Sequence, residues 1–315
     1  MPDQDHSKHR FLCVAIAQLD CNLDADIKKR LATNLHKLTS YTELIVGLRH
    51  PDLIVFPEVF IQGPDGAHSR EMAEPIPSGP TTQALLKLAN EQKVWLVPGT
   101  LFEKGADAKV YNTAIVISPD GEMVAKYRKL FPARPPEPSA MGDEFVVFDI
   151  PGKGRMGILI CADIWQPEVA RTLAWMGAEV ILKPTFQDDC EGGVNNRIPM
   201  VITRAIENQA YVVDCNASAP LCNGHSAIVD PEGRIVEQLA TTEAYTSAVL
   251  DLDKVHQVRE HGSFAGGFTL LKFWAYQRAF KHYPPYEKGI ENGEVFKGLS
   301  KGYPADPSQF RPYGD

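Results

Sequence analysis

The chain reads as an α/β protein in which helices cover two sheets, and three observations carry that expectation. Strand-like apolar runs alternate with helix-like stretches along most of the sequence. Two segments repeat one design: Ala114-Ile-Val-Ile-Ser-Pro-Asp-Gly-Glu-Met-Val124 and Ala227-Ile-Val-Asp-Pro-Glu-Gly-Arg-Ile-Val236 each hold an apolar strand, a Pro-acid-Gly turn and a second strand. Both are hairpin chemistry, and the pairing suggests two similar halves. No linker interrupts the pattern before about residue 255, so one body, residues 1 to 260, is the economical reading, although 315 residues alone allow two.

The elements follow in order. FLCVAIAQ at 11 to 18 is a strand, and 24 to 47 and 81 to 92 are helices. Runs at 53 to 56, 94 to 102 and 111 to 117 supply further strands. Strand candidates then stand at 145 to 150, 156 to 160, 179 to 183, 211 to 216, 225 to 230 and 246 to 252, with helices near 166 to 176 and 195 to 209. After about residue 260 the character changes: FAGGFTLLKFWAYQRAFKHYPPYE, residues 264 to 287, carries eight aromatics and leads to a Gly/Pro-punctuated end. An isolated tail cannot bury so many rings, so 261 to 315 is expected to be an extension packed on the body or on a neighbouring subunit.

Composition excludes several classes of function. Lys and Arg number 32 against 40 Asp and Glu, and the formal charge of -8 gives no basic field for nucleic-acid phosphates. The apolar runs are too short to cross a bilayer. The N-terminal residues lack the apolar core of a secretion signal, so a cytoplasmic protein is expected. Six cysteines form no C-x-x-C pair and no zinc-spaced cluster, and neither a metal nor a cofactor is expected. Cys13 and Cys215 lie in apolar strand-like runs as small buried hydrophobes.

Cys161 differs. In Ile158-Leu-Ile-Cys161-Ala-Asp163 the thiol follows an apolar strand directly, and Gln166-Pro-Glu-Val-Ala then opens a helix. A side chain at such a turn stands at the carboxyl end of a strand, where open α/β sheets gather ligands, so the thiol is either a nucleophile or a buried structural group. Asp52-Leu-Ile-Val-Phe-Pro-Glu58 repeats the design with a carboxylate, a general base or a surface group. Lys126-Tyr-Arg-Lys129 ends another strand before a Pro-rich loop, and its ammonium either holds a developing oxyanion or is solvated. His225 is expected in a hairpin strand and not as a partner of the thiol. Asp188-Asp189-Cys190-Glu191 is expected as a solvated acidic loop near a pocket mouth. G-x-S-x-G, H-E-x-x-H, P-loop and G-x-G-x-x-G patterns do not occur.

FPE, YRK and ICAD, in this order, resemble the nitrilase superfamily of carbon-nitrogen hydrolases. Arg204-Ala-Ile-Glu-Asn-Gln-Ala-Tyr-Val-Val213 and Gly224-His-Ser-Ala-Ile-Val-Asp-Pro-Glu-Gly233 extend the likeness, which covers roughly residues 11 to 252. The resemblance implies a four-layer αββα sandwich and a Glu-Lys-Cys triad, here Glu58, Lys129 and Cys161. It also implies a second glutamate some eight residues after the lysine, which is Glu137, and subunits that pair as a dimer or higher homo-oligomer. Ala162, Asp163, Arg134 and Thr185 are the candidates for substrate binding.

The implied chemistry is hydrolysis of a small amide through a cysteine thioester. Ala162-Asp163 stands where nitrilases commonly carry Trp-Glu, which favours an amide over a nitrile. Cys161, Asp163, Pro167 and Glu168 match the Cys-x-Asp-x-x-x-Pro-Glu pattern of the aliphatic amidase and formamidase branch, while Ala133-Arg-Pro and Glu137-Pro-Ser depart from that branch. Arg134 offers a grip on a substrate carboxylate, the alternative of an N-carbamoyl amino acid hydrolase. A catalytically silent scaffold is the reading outside enzymology.

Overall fold

In a computed structural model the described residues are 9–133, 137–189 and 192–263. They form two sheets. The first contains β1 (Phe11–Gln18), β2 (Leu53–Val55), β3 (Trp95–Val97), β4 (Thr100–Lys104), β5 (Val110–Ile117), β6 (Met123–Arg128) and β13 (Ala244–Asp251), ordered β13-β1-β2-β3-β5-β4 with β6 also paired to β5. The second is β12-β11-β10-β9-β8-β7, built from β7 (Val146–Ile150), β8 (Gly154–Ile158), β9 (Val180–Thr185), β10 (Tyr211–Asn216), β11 (Ala227–Val229) and β12 (Ile235–Gln238). Both expected hairpins form, β5 with β6 and β11 with β12, each antiparallel.

The period-2 pattern of β1 assigns the layers. Leu12, Val14 and Ile16 join one core cluster with Met156, Ile158, Val180 and Leu182, which are residues of the second sheet. Ala15 and Ala17 join another cluster with Leu38 and Ile45 of α1 (Ile27–Arg49) and with Leu85 and Leu88 of α3 (Pro80–Gln92). A short α2 (Ser69–Met72) lies between those two helices in sequence. On the second sheet a Cβ at Gly157 would meet the Leu173 side chain at 3.1 Å, so that face lies against α4 (Pro167–Trp175). The Asp214 side chain of β10 reaches Arg197 of α5 (Gly193–Asn208), and α6 (Leu252–His261) follows β13. Helices thus cover both outer faces, the expected αββα sandwich. Among the described residues, no helix is long and apolar enough to cross a membrane.

Two expectations need correction. The run 94 to 102 is not one strand, because the chain turns at Pro98-Gly99 and gives β3 and β4. Gly99 has φ +82°, and a Cβ there would stand 1.8 Å from the Pro57 carbonyl oxygen, so only glycine admits this close approach. His225 lies just before β11 and not within it. The extension 261 to 315 falls, beyond Ser263, outside the described residues, as do Arg134, Cys190 and Glu191.

Candidate active site

The strand ends converge where the two sheets meet. Glu58 follows β2, and its backbone N–H donates to the Thr185 carbonyl at the end of β9, 3.3 Å away, so a bond between the sheets fixes it. Lys129 follows β6 and continues its ladder, with its N–H donating to the Asn112 carbonyl at 2.8 Å. Cys161 opens a 3₁₀ turn (Cys161–Trp165) after β8 with φ +44°, a left-handed conformation that costs a non-glycine residue free energy.

Asp163 over-determines that turn. Its carboxylate accepts from Ile160 N at 2.9 Å, Phe131 N at 2.8 Å and the Tyr127 hydroxyl at 2.7 Å. Burial pushes its pKa up to about 6, against the opposing pull of Lys129 and these donors. The residue is fully buried and is not on the cavity wall. Thr185 is likewise buried off the wall; its hydroxyl meets Lys183 Nζ at 2.6 Å and Asp214 Oδ1 at 2.8 Å. Neither of these two expected substrate-binding side chains lines the cavity.

A cavity of about 600 Å³ contains the rest: Glu58, Lys129, Glu137, Cys161 and Ala162 line it, with Asn112, Val59, Phe102, Phe186 and Leu221. Lys129 Nζ donates to Glu58 Oε1 and to Glu137 Oε2, each at 2.7 Å. Asn112 Nδ2 bridges the same carboxylates at 2.8 Å each. Glu58 Oε2 accepts from Phe186 N at 3.0 Å, and Glu137 Oε2 from Ala133 N at 3.0 Å. Cys161 Sγ lies 3.9 Å from the Phe186 carbonyl oxygen. Asp188 and Asp189 are both exposed, and Asp188 also lines the cavity.

Charge follows from this packing. Burial pulls the Lys129 ammonium down, but Glu58, Glu137 and Cys161 outweigh it and hold its pKa well above the ordinary lysine value. Burial raises the Glu137 pKa, yet Lys129 and Asn112 bring it below the usual carboxylate value. For Cys161, burial and the Glu58 charge push the thiol up to about 12, with Lys129 and Lys183 opposing. The resting sulfur is a thiol, so attack requires a base beside it. Behind the site, Lys183 and Arg197 both pair with the buried Asp214 carboxylate and, against its burial, hold its pKa down.

Sequence reasoning missed Asn112, Phe186 and Tyr127. Asn112 carried a signal, an amide inside an apolar strand. Phe186 acts through its backbone, which leaves no trace in residue type. Among the described residues, the one group of His and acidic side chains close enough to share a metal ion is His9, Asp251 and Asp253, at the opposite end of β1, where Arg10 already pairs with Asp253.

Paired sheets with polar groups gathered at their strand ends define the class to which this fold belongs. The carbon-nitrogen hydrolase model matches residues 13–260, and the chain belongs to that family. It is 33% identical over 224 residues to human "Omega-amidase NIT2", covering 66% of this chain and 79% of the relative. To the "(R)-stereoselective amidase" of a Pseudomonas species it is 34% identical over 216 residues, covering 66% and 76%. The crystal structure of Saccharomyces cerevisiae Nit3, a member of branch 10 of the nitrilase superfamily, superposes with a TM-score of 0.73 at 29% identity, covering 80% of this chain and 94% of that one. The superfamily resemblance is thus borne out.

Proposed function

We propose that the protein is an amidase that cleaves the carbon-nitrogen bond of a small amide through a thioester on Cys161. The observation that carries this reading is a thiol on the wall of a ligand-sized cavity beside a lysine held between two glutamates. Amidases among its relatives support the same choice.

In this reading Glu58 takes the Cys161 proton as the sulfur attacks the amide carbonyl carbon. The tetrahedral oxygen is met by the Lys129 ammonium and the Ala162 backbone N–H. The proton passes from Glu58 to the leaving nitrogen, the carbon-nitrogen bond breaks and ammonia departs. Glu58 then draws a proton from water, which adds to the thioester. Collapse returns the thiol and releases the acid. Glu137 and Asn112 hold Lys129 and Glu58 in place and face the amide nitrogen. A homo-oligomer in the cytoplasm belongs to the same proposal, and light scattering reads the subunit number.

Release of ammonia from an amide, a nitrile and an N-carbamoyl acid sharing one side chain tests it. The amide should be consumed fastest, and Cys161→Ala should abolish turnover while Cys13→Ser and Cys222→Ser retain it. A nitrile preference returns the reading to nitrilase. Cleavage of the N-carbamoyl acid alone promotes the carbamoylase, and no turnover favours the silent scaffold.

A further inference from the structure

Two groups of buried charge stand close together in the body. At the site, the carboxylates of Glu58, Glu137 and Asp163 stand with one described cation, Lys129. Behind it, Lys183 of β9 and Arg197 of α5 share one carboxylate, Asp214 of β10, and all three side chains are fully buried. The site therefore holds more acid than cation, and the cluster holds one cation more than acid. Thr185 joins the two groups: its hydroxyl accepts from Lys183 Nζ at 2.6 Å and donates to Asp214 Oδ1 at 2.8 Å, while its carbonyl accepts the Glu58 N–H at 3.3 Å. The charge of the cluster reaches the reacting atom, since burial and Glu58 push the Cys161 thiol up while Lys129 and then Lys183 oppose them. Charges inside a protein are poorly screened, and a buried excess of one sign is costly without its counter-charge.

We propose that Lys183 and Arg197, held on Asp214, are positioning residues that supply the counter-charge of the site and keep its surplus carboxylate in the ionised form that proton transfer from Cys161 requires. They act through charge and not by contact with substrate, and the role rests on the amidase reading because turnover reports it. The other charged and titratable groups around the site do not supply this counter-charge. Lys129 is already shared by Glu58 and Glu137. Arg204 reaches the Ile164 carbonyl beside Asp163 but is paired with Glu207. The Cys222 thiol is raised, by burial first, and stays neutral. Asp188 and Asp189 are exposed to water and are acids in any case. Arg197 is fixed in its place by two further acceptors, Asn223 Oδ1 and the Gly224 carbonyl.

The test is the pH profile of kcat/KM for the amide of the panel above, whose acid limb reports protonation of the free site. Losing a cation, in Lys183→Met or Arg197→Met, should move that limb up by about one pH unit, the scale of one unit charge acting inside a protein. Arg197→Lys keeps the charge and should leave the limb in place, whereas Asp214→Asn removes an acid and should move it down. The sign follows charge alone, so loosened packing, which would move every variant the same way, does not imitate it. Should Asp214→Asn fail to fold, the comparison of Arg197→Met with Arg197→Lys decides. An acid limb unchanged in both methionine variants, or raised equally in Arg197→Lys, overturns the inference and leaves the amidase reading intact. Absence of turnover of any amide by the wild type removes both.

Discussion

Replacing Lys129 by glutamine takes the cation out of a site where it is 1% exposed and donates at 2.7 Å to two carboxylates. Glu58 and Glu137 then share only Asn112 Nδ2, and two carboxylates bridged by one donor cannot both stay ionised without cost. Breaking a buried pair from one side costs about 3–5 kcal/mol. The pH dependence has a defined sign. The Glu137 pKa is lowered in the fold, so its contribution is present above the ordinary carboxylate value of ~4.3 and is lost as pH falls. The Lys129 pKa is raised, so its contribution is present below the ordinary lysine value of ~10.4 and is lost only as pH rises through the folded value. The stability gap between wild type and Lys129→Gln should therefore be widest from about pH 6 to 9 and shrink by about pH 4. Activity should fall at least ~100-fold in kcat, the scale of one lost oxyanion donor. Urea unfolding followed by tryptophan fluorescence at acidic and neutral pH reads the first effect, and ammonia release the second. A gap equal at both pH values, or near-normal kcat, refutes the reasoning.

Three other outcomes follow from the same geometry. With the Cys161 pKa pushed up to about 12, kcat/KM should show no rise through the free-thiol range near pH ~8.5, and a unit-slope rise there would mean that a thiolate is the resting nucleophile. Tyr127→Phe deletes the 2.7 Å hydrogen bond to the buried Asp163 and should lower stability by about 1–3 kcal/mol in urea unfolding; no change would mean that Asp163 does not depend on that hydroxyl. Gly99→Ala places a methyl 1.8 Å from the Pro57 carbonyl at φ +82°, so Glu58 must shift, and kcat should drop at least ~10-fold with a lower Tm; wild-type kinetics would separate Glu58 from that contact.

Much of the sandwich was legible because strands and hairpins are local. The apolar run at 11 to 18 has the length of a strand, and the Pro-acid-Gly turns name their hairpins. The split between β3 and β4 was overlooked although Pro98-Gly99 is a local turn signal of the same kind; what sequence could not show is that Pro57 passes against Gly99, a contact between segments far apart in sequence. Glu58, Lys129 and Cys161 each carried a local cue and Glu137 came only from the family resemblance, but their meeting depends on sheet order and on the two sheets facing each other, which spacing does not encode. Asp163 and Thr185 were expected among the substrate-binding residues. Their side chains turn inward, Asp163 to three donors and Thr185 to Lys183 and Asp214, because a strained turn and a buried ion cluster need those partners.

The proposed chemistry stands on a covalent bond between substrate and Cys161. Mass spectrometry of protein acid-quenched during turnover of an amide should find the acyl mass on the peptide containing Cys161, and hydroxylamine should intercept the same group as a hydroxamate, since a stronger nucleophile competes with water for a thioester. Turnover with no adduct on that peptide and no hydroxamate, together with activity retained in Cys161→Ala, would contradict it.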